Sequence, residues 1–221
     1  MNSFIRFLAV VFCLIPTAAL ADYPDPERKR DQVERFTKWL VSEPGSIVIT
    51  GSSSIRRWRS IQDDLAPATI IPTGIPGSNM NDLDHYLDEL VLRFAPEAIV
   101  IYQGDNDAAI DGVSVDQVIA RFDRIMTRIK AALPGSSLYV MSVKPSIARW
   151  QKWPKALQIN RMLQDRADER SDLIYVDVAT PLLGEDGTPR PDLFDEDMVH
   201  LNDKGYRVWT SVLQPILADR P

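Results

Sequence analysis

Near its C-terminus the sequence runs Asp197-Met198-Val199-His200, and His200 shares the whole chain with only one other histidine, His85. Near neutral pH an imidazole is the side chain best suited to pass a proton between a hydroxyl and a leaving group. A carboxylate three residues before His200 is close enough to hold one ring nitrogen and leave the other free for a nucleophile. That is the acid–base half of a triad, and it requires a hydroxyl and donors for a developing oxyanion from elsewhere in the chain. Gly51-Ser52-Ser53-Ser54 offers the hydroxyl at a strand-to-helix turn, where backbone N–H groups also point outward. Gly77 lies in a turn that only backbone can approach closely, and Asn106 brings a side-chain amide just past an apolar strand.

Each feature has a plainer use. Serine-rich turns cap helices, Gly77 can be an ordinary turn glycine, and Asn106 between two aspartates can form an Asx-turn. The aspartates Asp105, Asp107 and Asp111 suggest a cation site, but the further ligands of a calcium loop are missing, so no metal and no cofactor are expected. His85, beside Asp84 and Asp88, reads as a solvated residue on a helix face. Trp150 and Trp153 after the fourth strand can line a substrate pocket or cover the sheet edge. What argues for chemistry is that the polar clusters follow successive strands and the histidine comes at the end of the chain.

The elements that must position these residues read as follows. Apolar positions Val33, Phe36, Trp39 and Leu40 recur at helical spacing over 27–40, after a charged, proline-containing lead-in at 22–30 expected to be exposed. Short apolar, β-branched runs at 47–50, 68–72, 98–102, 138–143 and 173–178 predict five strands. Between and after them, helices are predicted at 79–94, 115–133, 155–170 and 204–217. Near-continuously apolar strands alternating with helices imply a parallel sheet covered on both faces, a three-layer α/β/α sandwich of flavodoxin-like type. Ligands of such sheets sit outside the carboxyl ends of the strands, where residues 51–54, 74–79 and 104–107 are expected to meet.

The first 21 residues read as a secretory signal: a short basic region to Arg6, an apolar run over 7–15, Pro16, then Ala19-Leu20-Ala21. The run is too short to span a bilayer. Cleavage after Ala21 leaves residues 22–221 as one domain, removes the only cysteine, Cys13, and predicts a secreted or periplasmic protein without disulfides. The remaining 24 basic and 31 acidic residues carry a net charge of −7, which disfavours nucleic acid and anionic membrane surfaces as partners. Oligomeric state is not legible.

With these residues in hand, the chain resembles the SGNH hydrolase superfamily, the GDSL-type esterases and lipases, from residue 47 to about residue 213. The family's first block falls on Gly51-Ser52-Ser53, which carries the nucleophile over to Ser53 and puts Trp58 at a position often aromatic in its smaller members. The second block is similar to Gly74-Ile75-Pro76-Gly77-Ser78, with Gly77 as the oxyanion glycine. Gly104-Asp105-Asn106-Asp107 matches Gly-x-Asn-Asp and implies Asn106 as the third oxyanion donor, beside the Ser53 and Gly77 N–H groups. Asp197 and His200 match Asp-x-x-His. Ser52 stands where the family has aspartate, and Pro76 replaces a frequent glycine and removes one N–H. The resemblance implies a serine ester hydrolase acting on short acyl or acetyl esters through an acyl-enzyme, with a small-molecule or glycan ester as its partner; Trp58 joins Trp150 and Trp153 as a candidate pocket residue. Two alternatives are a polysaccharide O-deacetylase of the same mechanism and a non-catalytic carbohydrate-binding domain of the same fold.

Overall fold

The computed structural model describes residues 23–219. The reading of residues 1–21 as a signal lies outside them. Five strands, β1 (Ile47–Gly51), β2 (Ile70–Gly74), β3 (Ala98–Tyr102), β4 (Ser137–Met141) and β5 (Leu173–Val176), form one parallel sheet in the order β2-β1-β3-β4-β5. The helices are α1 (Arg30–Thr37), α2 (Ser53–Arg57), α3 (Ile61–Asp64), α4 (Met80–His85), α5 (Leu87–Leu90), α6 (Asp105–Ala109), α7 (Val115–Ala132), α8 (Trp153–Asp168) and α9 (Asp203–Ala218).

The two-residue period of the strands divides their side chains between two cores. Val48, Ile99, Ile101, Leu138 and Val140 face one core with residues of α1, α4, α5, α7 and α8. Ile47, Ile49, Val100, Tyr102, Tyr139 and Met141 face the other, with Ile55 of α2, Ile61 of α3 and Trp209 and Leu213 of α9. The expected three-layer α/β/α architecture is therefore present. In register, Gly51 lies opposite Gly74 on one side and Tyr102 on the other. Ser53, Gly77 and Asn106 thus start two to four residues beyond one common level of the sheet.

Local boundaries depart from expectation where packing overrides pattern. The second strand runs to Gly74, not Pro72, because Ala68 closes a turn on Leu65 while Gly74 pairs with Gly51. Pro72 is tolerated because β2 is an edge strand. The single helix expected over 79–94 is broken at Tyr86 and Val91 into α4, α5 and a 3₁₀ turn, Leu92–Phe94, and Leu83, Leu87, Leu90 and Phe94 are all buried. Helix α1 ends at Thr37, leaving Trp39 80% exposed rather than on an apolar face. The lead-in is not a free tail: Tyr23 donates to Asp107 Oδ1 (2.8 Å), Arg28 forms a bidentate pair with Asp82, and the buried Lys29 donates to the Pro76 carbonyl (2.5 Å). Among the described residues, no helix is long and apolar enough to cross a membrane.

Candidate active site

Strand β1 ends against β3 with no room for a side chain: a Cβ on Gly51 would lie 2.5 Å from the Tyr102 carbonyl oxygen. The chain then turns into α2 with Ser52 as the preceding cap and Ser53 as the first helical residue. Arg56 N–H bonds the Ser52 carbonyl, so the N–H groups of Ser53 and Ser54 fall in the first turn, where the helix itself offers no acceptor. Of the three adjacent serines, Ser52 and Ser54 are buried (1% and 0% exposed) and Ser53 is not. Ser53 Oγ lies 2.8 Å from His200 Nε2.

His200 sits in the turn before α9. Its Nδ1 is 2.6 Å from Asp197 Oδ2, while the other oxygen of Asp197 accepts the backbone N–H groups of Val199 (3.0 Å) and His200 (2.8 Å). Burial raises the pKa of Asp197, but these hydrogen bonds outweigh it and hold the carboxyl well below the usual range. With Asp197 facing Nδ1, Nε2 is the ring nitrogen turned towards Ser53 Oγ. Met198, between them, adopts φ +55°, a left-handed conformation that non-glycine residues rarely take.

Gly77 occupies its turn at φ +66°, and Asn106 is the second residue of α6. Ser78 joins the three strand-end loops: its carbonyl accepts from Asn106 Nδ2 (2.7 Å), and its hydroxyl accepts from Gln103 (2.8 Å) and donates to the Gly51 carbonyl (3.3 Å). One amide hydrogen of Asn106 is used on Ser78. The structure therefore brings Ser53, His200 and Asp197 into one hydrogen-bonded chain and ties the Gly77 and Asn106 segments to the serine turn.

The family comparison decides the relationship. Residues 45–208 match the model of the GDSL-like lipase/acylhydrolase family, which is well over half of the chain. The chain belongs to that family.

Membership places this GDSL-like protein among the carboxylic ester hydrolases. Solved structures share its fold at low identity. A Streptococcus pneumonia protein solved as a candidate platelet activating factor is 22% identical with TM-score 0.75, over 87% of this chain and 92% of that one. A GDSL-like lipase from Bacteroides thetaiotaomicron is 20% identical with TM-score 0.72, over 88% and 97%. An acetylxylan esterase from Geobacillus stearothermophilus, in a catalytic-mutant form, is 15% identical with TM-score 0.67, over 81% and 97%. Among curated proteins, none is similar enough to match.

The tryptophans of this GDSL-like chain have separate fates. Trp58 is 1% exposed, donates to Asp64 (2.6 Å) and stacks on Tyr206 with centroids 5.4 Å apart; the cavity it borders, with Ile55, Arg56 and Gly74, contains neither Ser53 nor His200. Trp153 is buried against the α7–α8 core and Trp150 is half-buried on it, the rings stacked at 5.8 Å. Trp153 also lines a small recess with Asp105, Lys144 and Arg149. The three aspartates of the loop are divided among different partners: Asp105 with Lys144 and Arg149, Asp107 with Tyr23 and the Met80 N–H, and Asp111 with Lys152. Among the described residues, no group of three or more His, Cys, Asp or Glu side chains is placed to hold a metal. His85 pairs with Glu27 at 3.0 Å, on the surface and apart from the Ser53–His200–Asp197 chain.

Three charged residues that sequence reasoning did not single out adjoin the site. Arg57 reaches Asp197 Oδ2 (3.3 Å) and opens onto a cavity of about 790 Å³ with Arg59, Asp195, Tyr206 and Arg207, which contains neither Ser53 nor His200. Lys144 and Arg149 contact the start of α6, Lys144 at Asp105 and Arg149 at Asp105 and Asn106. No local motif marks them, because their partners are remote in sequence.

Proposed function

We propose that the protein is an exported serine ester hydrolase that uses Ser53, His200 and Asp197 on short acyl or acetyl esters. The carrying observation is the continuous chain from Ser53 Oγ through His200 to Asp197, with the neighbouring serines turned inward. In this reading His200 Nε2 takes the Ser53 proton as Oγ attacks the ester carbonyl. The N–H groups of Ser53 and Gly77 and the free amide hydrogen of Asn106 receive the oxyanion. His200, now protonated and stabilised by Asp197, gives its proton to the departing alcohol. A water then repeats the sequence on the acyl-enzyme and restores Ser53.

The glycan reading, removal of acetyl groups from a polysaccharide, uses the same steps. It is favoured by the likeness to an acetylxylan esterase and to a carbohydrate esterase from Talaromyces cellulolyticus. Hydrolysis of p-nitrophenyl acetate, butyrate and octanoate, run beside acetate release from acetylated xylan, separates the two. The expected order is acetate over butyrate over octanoate. A folded protein inert on every ester but retained by glycans would instead be a binding domain.

Export is supported by the order of the first 21 residues. Its test is the N-terminal sequence of the protein recovered outside the cytoplasm, expected to begin at Asp22.

A further inference from the structure

We propose that Lys144, with Arg149, is a positioning residue for the acyl transfer: its buried ammonium sets the loop carrying His200 against the loop carrying Asn106. The inference rests on the reading of Ser53, His200 and Asn106 given above. Lys144 Nζ donates to the Val199 carbonyl (2.6 Å) and lies 3.4 Å from Asp105 Oδ2. Val199 immediately precedes His200, and Asp105 immediately precedes Asn106. One cation therefore touches both loops one residue short of their functional side chains.

The segment around it repeats the grip. Ala148 N–H bonds the Met198 carbonyl (3.0 Å), so two consecutive carbonyls of the His200 turn are held from residues 144–148. Arg149 Nη1 donates to Asp105 Oδ1 (2.9 Å) and to Asn106 Oδ1 (3.2 Å). With its oxygen facing a guanidinium, the Asn106 amide is fixed with Nδ2 towards Ser78 and the site. The turn being gripped includes Met198 in its left-handed conformation, which persists only where surroundings over-determine it.

Stability alone gives little reason for this arrangement. The Lys144 side chain is 0% exposed and that of Asp105 10%. Burial pulls the lysine below its usual range, with Asp105 opposing that pull. Taking both ions out of water opposes their attraction, and an apolar pair of like volume is often no less stable. An ammonium does what a methionine cannot: it bonds a carbonyl and a carboxylate from different loops at once.

The test is Lys144→Met in the mature chain, read three ways at a temperature well below unfolding. The expected result is kcat on p-nitrophenyl acetate reduced about 10- to 100-fold with KM within about twofold, the scale of a small misplacement of catalytic groups. The far-downfield proton resonance of the His200–Asp197 hydrogen bond is expected to broaden or move. Arg149→Gln, at a half-buried position, is expected to lower kcat through Asn106 and leave that resonance in place. If Lys144→Met does not fold, Lys144→Met/Asp105→Asn, which leaves no unpaired buried carboxylate, carries the same expectations. Wild-type kcat with an unmoved resonance overturns the proposal. So does a loss of activity that merely tracks a lower melting temperature while the resonance stays. A wild type inert on esters sinks the reading of function instead, and the resonance still decides whether Lys144 positions His200.

Discussion

Ser53 Oγ and His200 Nε2 lie 2.8 Å apart although 147 residues separate them in the chain. The serine is placed by the end of β1 and the histidine by the turn before α9. The two elements are bonded directly: Tyr206 of α9 donates to the Ser54 carbonyl (2.8 Å) and Arg57 of α2 reaches Asp197 (3.3 Å).

Asp197→Asn is expected to fold normally and lose about 10⁴-fold in kcat/KM. An asparagine oxygen can still accept from Val199 and His200. Its amide would then face Nδ1, and the ring proton would move to Nε2, where it cannot take the serine proton. Kinetics on p-nitrophenyl acetate check this, and a loss of less than tenfold contradicts the assigned role.

Asn106→Ala is expected to reduce kcat by about 10²- to 10³-fold with little change in KM, as for loss of one oxyanion donor. Because Asn106 also bonds the Ser78 carbonyl, a lower melting temperature should accompany it. Gly77→Ala is expected to destabilise by about 1–2 kcal/mol, since φ is +66° and the new methyl would stand 3.3 Å from Lys29 Nζ. Urea unfolding measures it.

Trp58→Phe is expected to change stability and not substrate affinity. It removes the bond to Asp64 and part of the stack on Tyr206 behind the serine helix, at a cost of about 1–2 kcal/mol. An altered KM in a fully folded variant would restore Trp58 to the pocket.

The pH dependence of stability should carry the mark of Asp107. Burial pushes its carboxyl up to about 6, against the hydrogen bonds from Tyr23 and the Met80 N–H. Its folded pKa lies above the unfolded value near 3.8, so between these values the folded state holds the extra proton. The stability contributed by this group is complete below about pH 3.8 and is lost as pH rises through 6. Asp107→Asn, which cannot ionise, should therefore gain on the wild type between pH 4.5 and pH 8 in urea unfolding. Parallel pH profiles for the two proteins would contradict it.

Much of this was legible in the sequence for identifiable reasons. Five apolar, β-branched runs and their helices specify a covered parallel sheet by periodicity alone, and the polar clusters at strand ends follow from that topology. Asp197 and His200 are three residues apart, so their pairing is local. The choice among Ser52, Ser53 and Ser54 depends on how a five-residue helix is rotated against the sheet, which no pattern states. The burial of Trp58 is not legible, because an aromatic near a nucleophile looks the same in sequence whether it faces substrate or core. The anchoring of Tyr23 and Lys29 is hidden because charge and proline usually mean solvent, yet each finds a partner more than 40 residues away. Lys144 and Arg149 were silent because nothing adjacent to them identifies their partners.

The most direct measurement is the rate of p-nitrophenyl acetate hydrolysis by Ser53→Ala beside Ser52→Ala, Ser54→Ala and the wild type, all confirmed as folded. The expected result is a loss of roughly 10⁶-fold in Ser53→Ala alone, the scale on which a triad serine is missed. Hydrolysis that survives Ser53→Ala, or that disappears only with one of its neighbours, would contradict the assignment of Ser53 as the nucleophile.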